Sequence, residues 1–179
     1  MVRVSLIVFL LYCFLFSQEN QIEIKVGNEA PTFSLPTLDQ KYVYLRDYCG
    51  EPLRKPWINK TKHVVVISFF ASWCKPCLKE IPHLQDLEKE FSGKDIKFFL
   101  INVGEEKEKV EELLKTNPIR LPILLDRYSK IAEKFDALTL PRLFVIDKLG
   151  VIRRQQKGFV SEEDFIIEMR AILNDLLKE

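Results

Sequence analysis

Two cysteines separated by two residues, in Trp73-Cys74-Lys75-Pro76-Cys77, carry the densest chemical potential in this chain of 179 residues. So close a pair closes almost no loop, so as a cross-link it would constrain little of the unfolded chain. Reactivity explains the spacing better than scaffolding does, with a purely structural disulfide as the alternative. Zinc would need two further ligands, and Cys49, His63 and His83 supply no second close pair. Covalently attached haem needs a histidine directly after the second cysteine, where this chain has Leu78. No metal and no cofactor is expected. Cys49 is read as a buried unpaired thiol, with a third redox partner as its alternative, and His63 and His83 as surface or strand-edge residues.

The elements around the pair explain how it would work. Residues 63–70 form a nearly continuous apolar run, the pattern of a strand buried on both faces of a sheet. Apolar residues at Leu78, Ile81, Leu84, Leu87 and Phe91 then follow a helical period. Pro82 should kink that helix, and Gly93 stops it. Cys74 therefore falls where a strand ends and a helix begins. Unpaired backbone N–H groups and the helix dipole there favour a thiolate, the species that attacks disulfides. Cys77 lies about one turn inward and can resolve the mixed disulfide. Pro76 pre-sets the first helical turn, and Lys75 adds a solvated positive charge. Glu80, one further turn along, can bring its carboxylate toward the thiols, or else is a solvated charge.

A hairpin built on Phe33-Ser34-Leu35 and Tyr42-Val43-Tyr44-Leu45 precedes these elements, followed by a loop rich in proline and lysine over residues 49–62. After them come a strand at 96–103, a charged helix at 105–115 and a short strand at 122–125. A helix at 128–135, paired strands at 142–147 and 151–156, and a last helix opening at Ser161 complete the order. The order predicts an α/β sandwich with a mixed central sheet flanked by helices and an N-terminal β-hairpin extension. The charged run 105–112 is read as a solvated helix face.

Composition bounds the setting. Hydrophobic residues make up 47% and charged residues 30%, and the formal net charge of +1 gives no reason to expect a nucleic acid partner. Residues 1–17 stand apart: Arg3, then an apolar run from Val4 to Phe16, then Ser17 before polar residues. That run is short for a spanning helix, which needs roughly 20 residues. It reads as a secretory signal, or failing cleavage as an N-terminal membrane anchor, ahead of one domain over 21–179.

The segment Phe69-Phe70-Ala71-Ser72-Trp73-Cys74-Lys75-Pro76-Cys77, with Pro82 beyond it, resembles the active site of thioredoxin-fold proteins. The stretch 27–35, Glu80-Ile81-Pro82-His83-Leu84, and Leu140-Pro141 before a strand narrow the resemblance to the TlpA/ResA branch, over roughly residues 26–178. The resemblance implies an extracytoplasmic, often membrane-tethered thiol–disulfide oxidoreductase. Such a protein reduces disulfides in partner proteins, apocytochromes before haem attachment among them, and is recharged by a membrane thiol transporter. It makes Pro141 a cis-proline facing the redox pair, and Leu140 a contact for substrate backbone. It gives Trp73 a shielding and contact role beside Pro76, and makes Glu80 a tuner of thiol acidity. Ser68 departs from the pattern, since thioredoxins carry a buried aspartate there and serine is no general base near neutrality. An oxidant of the same fold and a non-catalytic binding module are the rival readings. A peroxidase of related fold would need Thr-x-x-Cys where this chain has Ala71-Ser72-Trp73-Cys74.

Overall fold

A computed structural model of the protein describes residues 24–51, 61–159 and 161–179. The signal or anchor assigned to residues 1–17 and most of the loop over 49–62 lie outside the described residues. No helix among the described residues is long and apolar enough to cross a membrane.

The seven residues of β3 (Val64–Phe70) are all buried, as the apolar run requires. Alternate side chains of a strand point to opposite faces, and β3 divides accordingly. Val64, Val66 and Phe70 join one core cluster, whereas Val65, Ile67 and Phe69 join a second. Both faces must therefore be covered. α1 (Lys75–Glu90) and α4 (Glu162–Lys178) cover the first through Leu84, Leu87, Phe165 and Met169. The second holds an aromatic group, in which Phe69, Phe135 and Phe144 lie with ring centroids 5.2 to 6.1 Å apart.

Among the described residues five strands make the sheet, in the order β5 (Ile123–Asp126), β4 (Ile96–Val103), β3, β6 (Arg142–Ile146), β7 (Ile152–Lys157). β4 runs parallel to β3 and to β5, and β6 runs antiparallel to β3 and β7. α1 and α2 (Lys107–Thr116) are the crossovers that link parallel strands, β3 to β4 and β4 to β5, and α3 (Lys130–Lys134) lies between β5 and β6. β1 (Ser34–Pro36) and β2 (Tyr42–Tyr44) pair antiparallel as the N-terminal hairpin. The α/β reading with a mixed sheet and a hairpin extension is the architecture found.

Local chemistry moves some boundaries. α3 starts at Lys130 rather than near 128, because Asp126 at the end of β5 accepts from the N–H groups of Ile131 and Ala132 at 2.9 and 2.7 Å. That carboxylate caps the helix from outside. The β6–β7 turn is held by Asp147, whose Oδ1 accepts from the N–H groups of Leu149 and Val151, both at 2.9 Å. α1 runs through Pro82 without a break, and Arg170 of α4 grips Glu90 at the far end of α1 at 2.8 and 2.9 Å.

Candidate active site

Cys74 is the N-cap of α1, with Pro76 in the first turn. Its Sγ accepts from the N–H of Cys77 at 3.3 Å, one of the donors that the helix itself leaves without a partner. Cys74 and Cys77 are joined by a disulfide, with their Cα atoms 5.3 Å apart, so the structure shows the oxidised state. Cys74 is 3% and Cys77 1% exposed, whereas Trp73 between strand and helix is 69% exposed. Lys75 and Pro76 are also exposed. The sulfurs thus lie behind a surface formed by Trp73, Lys75 and Pro76.

Glu80 follows one helical turn after Cys77 on the same face of α1. It is 1% exposed, so the solvated-charge alternative is overturned. Its Oε1 accepts from the Ser68 hydroxyl at 2.6 Å, while Oε2 is buried with no hydrogen-bond partner among the described residues. Burial pushes the Glu80 carboxyl up to about 7, and the Ser68 hydrogen bond pulls in the opposite direction. Ser68, on β3, is itself buried. The serine that departs from the thioredoxin pattern is the donor that orients the glutamate.

Leu140 and Pro141 arrive from β6. Because β6 is antiparallel to β3, Arg142 pairs with Phe69, so Pro141 enters beside the end of β3 where the redox turn begins. The Leu140–Pro141 peptide is cis. The Pro141 carbonyl accepts from the Gly158 N–H at 2.9 Å. Leu140 is half-buried and packs against both core clusters. The structure therefore gathers Trp73, Cys74, Pro76, Cys77, Glu80, Leu140 and Pro141 around the carboxyl end of β3.

Cys49 is elsewhere. It belongs to the second core cluster, on the opposite face of the sheet from Cys74 and Cys77. It is 0% exposed and unpaired, and burial pushes its thiol up to about 12. This places it as the buried thiol. His63 stacks edge-on against Tyr48. His83 lies flat on Phe159 and 3.6 Å from Glu162.

Glu105 corrects the reading of a uniformly solvated run over 105–112. Its carboxylate accepts from the Ser72 N–H at 2.7 Å, the Ser72 hydroxyl at 2.5 Å and the Asn102 side-chain amide at 2.7 Å. Gly104 permits this approach: its φ of +71° turns the chain back as β4 ends, and a Cβ there would meet Ser129 Oγ at 3.0 Å. The available signal was an acid just past the end of the strand that runs parallel to β3.

Residues 26–155 match the model of the AhpC/TSA family. The chain belongs to that family. Among curated relatives, the thiol–disulfide oxidoreductase ResA of Bacillus cereus is 30% identical over 155 residues, covering 87% of this chain and 82% of that protein. ResA of Bacillus subtilis is 28% identical over 139 residues, covering 78% and 71%. The solution structure of a Bacteroides thetaiotaomicron protein, 29% identical, superposes with a TM-score of 0.73 over 87% of this chain and 92% of the other. A thiol–disulfide oxidoreductase from Bacteroides fragilis, at 22% identity, shares the fold with a TM-score of 0.64 over 82% and 100%. Within the AhpC/TSA family this member is a thiol–disulfide oxidoreductase of the ResA type, with Cys74 and Cys77 as its redox pair.

Proposed function

We propose that the protein reduces disulfides in partner proteins outside the cytoplasm, with cytochrome c maturation as its setting, and that Glu80 handles the proton of Cys77. In the reduced enzyme the Cys74 thiolate attacks one sulfur of the partner's disulfide. That S–S bond breaks, one partner sulfur leaves as a thiolate, and Cys74 holds the other in a mixed disulfide. Cys77 then gives its proton to Glu80 and attacks Cys74 Sγ. The mixed disulfide breaks, the partner departs as a dithiol after taking up protons, and Cys74–Cys77 is left oxidised. Two electrons pass to the partner, and a membrane thiol-transfer protein returns them.

The observation that carries the exchange chemistry is the Cys74–Cys77 pair at the N-terminus of α1. The proton step is supported by Glu80, buried one turn from Cys77 with its carboxyl pushed up to about 7 by burial. A proton acceptor works best near the ambient pH, and a buried thiol needs one before it can attack. Leu140, Pro141, Pro76 and the exposed Trp73 form the surface that receives the partner's backbone. The apolar pattern of residues 4–16 behind Arg3 supports export, whether the segment is cleaved or serves as a tether.

Two measurements test the proposal. Cys77→Ala should accumulate covalent partner complexes through Cys74, and reactive Cys74 without trapped complexes sinks the exchange sequence. Equilibration with dithiothreitol should give a potential near about −270 mV, whereas one near about −120 mV reverses the direction of flow.

A further inference from the structure

We propose that Glu105 is a positioning residue for the exchange reaction: its carboxylate clamps the turn that delivers Cys74. That turn runs from Ala71 to Cys74 and is closed by the Cys74 N–H donating to the Ala71 carbonyl at 3.0 Å. Ser72 is its second residue, beyond the last ladder position of β3 at Phe70. The strand no longer supplies a partner for the Ser72 N–H, and Glu105 does.

One carboxylate holds Ser72 twice, through the N–H to Oε2 and the hydroxyl to Oε1. The same Oε2 takes the Asn102 amide, and Asn102 pairs with Phe70 in the β3–β4 register. Glu105 therefore ties together the carboxyl ends of two parallel strands at the point where the redox segment leaves the sheet. Three donors converge on it, a demand suited to the acceptor-only oxygens of an ionised carboxylate. Trp73, the third residue of the turn, is 69% exposed, so core packing does little to fix the turn from that side. Thiol–disulfide exchange requires Cys74 Sγ to line up with the partner's S–S bond, and misplacement by about 1 Å can cost on the order of a hundredfold. The clamp acts on alignment through Ser72; Glu105 itself touches neither sulfur.

The inference rests on exchange at Cys74 and holds for either direction of electron flow, so a potential near that of an oxidant leaves it standing. The test compares three variants, at a temperature where all are folded, by the rate constant for reaction of the reduced protein with insulin disulfides. Amide hydrogen exchange at Ser72 is followed in parallel. Glu105→Gln can offer its oxygen to Ser72 N–H and Asn102 and its amide N–H to Ser72 Oγ, so the rate should stay within about twofold. Glu105→Asp keeps the charge but draws the oxygens back by one methylene. It should lose about tenfold, as should Glu105→Ala, and both should lose protection at the Ser72 amide. If Glu105→Ala does not fold, the Gln and Asp pair decides alone. A fast Asp variant beside a slow Gln variant overturns the proposal, because charge rather than reach would then matter. Wild-type rates in Asp with the Ser72 amide unprotected overturn it equally.

Discussion

Cys74 and Cys49 are buried to nearly the same degree, 3% and 0% exposed, but they lie on opposite faces of one sheet and meet opposite ends of the peptide dipole. On the first face, the Cys74 sulfur receives the Cys77 N–H at the start of a sixteen-residue helix. On the second, the Cys49 thiol faces the Leu45 carbonyl at 3.9 Å behind a short 3-10 turn. N–H groups stabilise negative sulfur and a carbonyl opposes it, so burial keeps Cys49 protonated while the helix N-terminus prepares Cys74 for attack. Burial, which holds Cys49 protonated, is offset at Cys74 by the backbone N–H that its sulfur meets.

The strongest way to break this comparison is to remove each thiol in turn. Cys74→Ala should lower insulin-disulfide reduction on the order of a thousandfold or more, and residual turnover within tenfold of wild type would mean that another thiol carries the reaction. Glu80→Gln sharpens the contrast on the reactive face. Its folded-state value, about 7, lies above the ordinary 4.5, so the native state favours the proton. The stability cost of ionising it is absent below about pH 4.5, grows as pH rises through about 7 and is complete above. That cost is on the order of 3 kcal/mol. Thermal melts of the oxidised Gln variant should therefore match wild type near pH 4 and exceed it at pH 8. Parallel melting curves across that range would remove the buried charge from the account. The smallest effect belongs to Cys49→Ala, which should leave the exchange rate within about twofold and cost about 1 kcal/mol of stability. A larger loss of rate in that variant would give the second face a redox role.

Much of this was legible from the residues. The apolar run of β3, the periodic helix after it and the two cysteines at their junction fix the redox pair, because each signal is local. Glu80 was legible as a position but not as an environment. Only the packing of α1 on β3 buries it, and only the register of β3 brings the Ser68 hydroxyl to it. Glu105 was legible only as an acid just past the end of β4, not as a partner of the redox turn. Its partners Ser72 and Asn102 lie 33 and three residues away in sequence, on strands whose adjacency a single sequence does not state. The helix at 130 began late for a similar reason, since the cap came from Asp126 rather than from the residue next to the helix.

The directions of the strands around β3 also divide the molecule lengthwise. β3 and β4 both end at the redox pole and β6 begins there, so the opposite pole carries the approach to His63 and the turn from β6 to β7. Seven strand residues separate the two poles, or about 20 Å at the usual rise per residue. Leu149, exposed in that turn, is consequently a natural attachment point for a fluorophore or an immobilising linker. A handle placed there would leave the thiol end of the domain open to its partners.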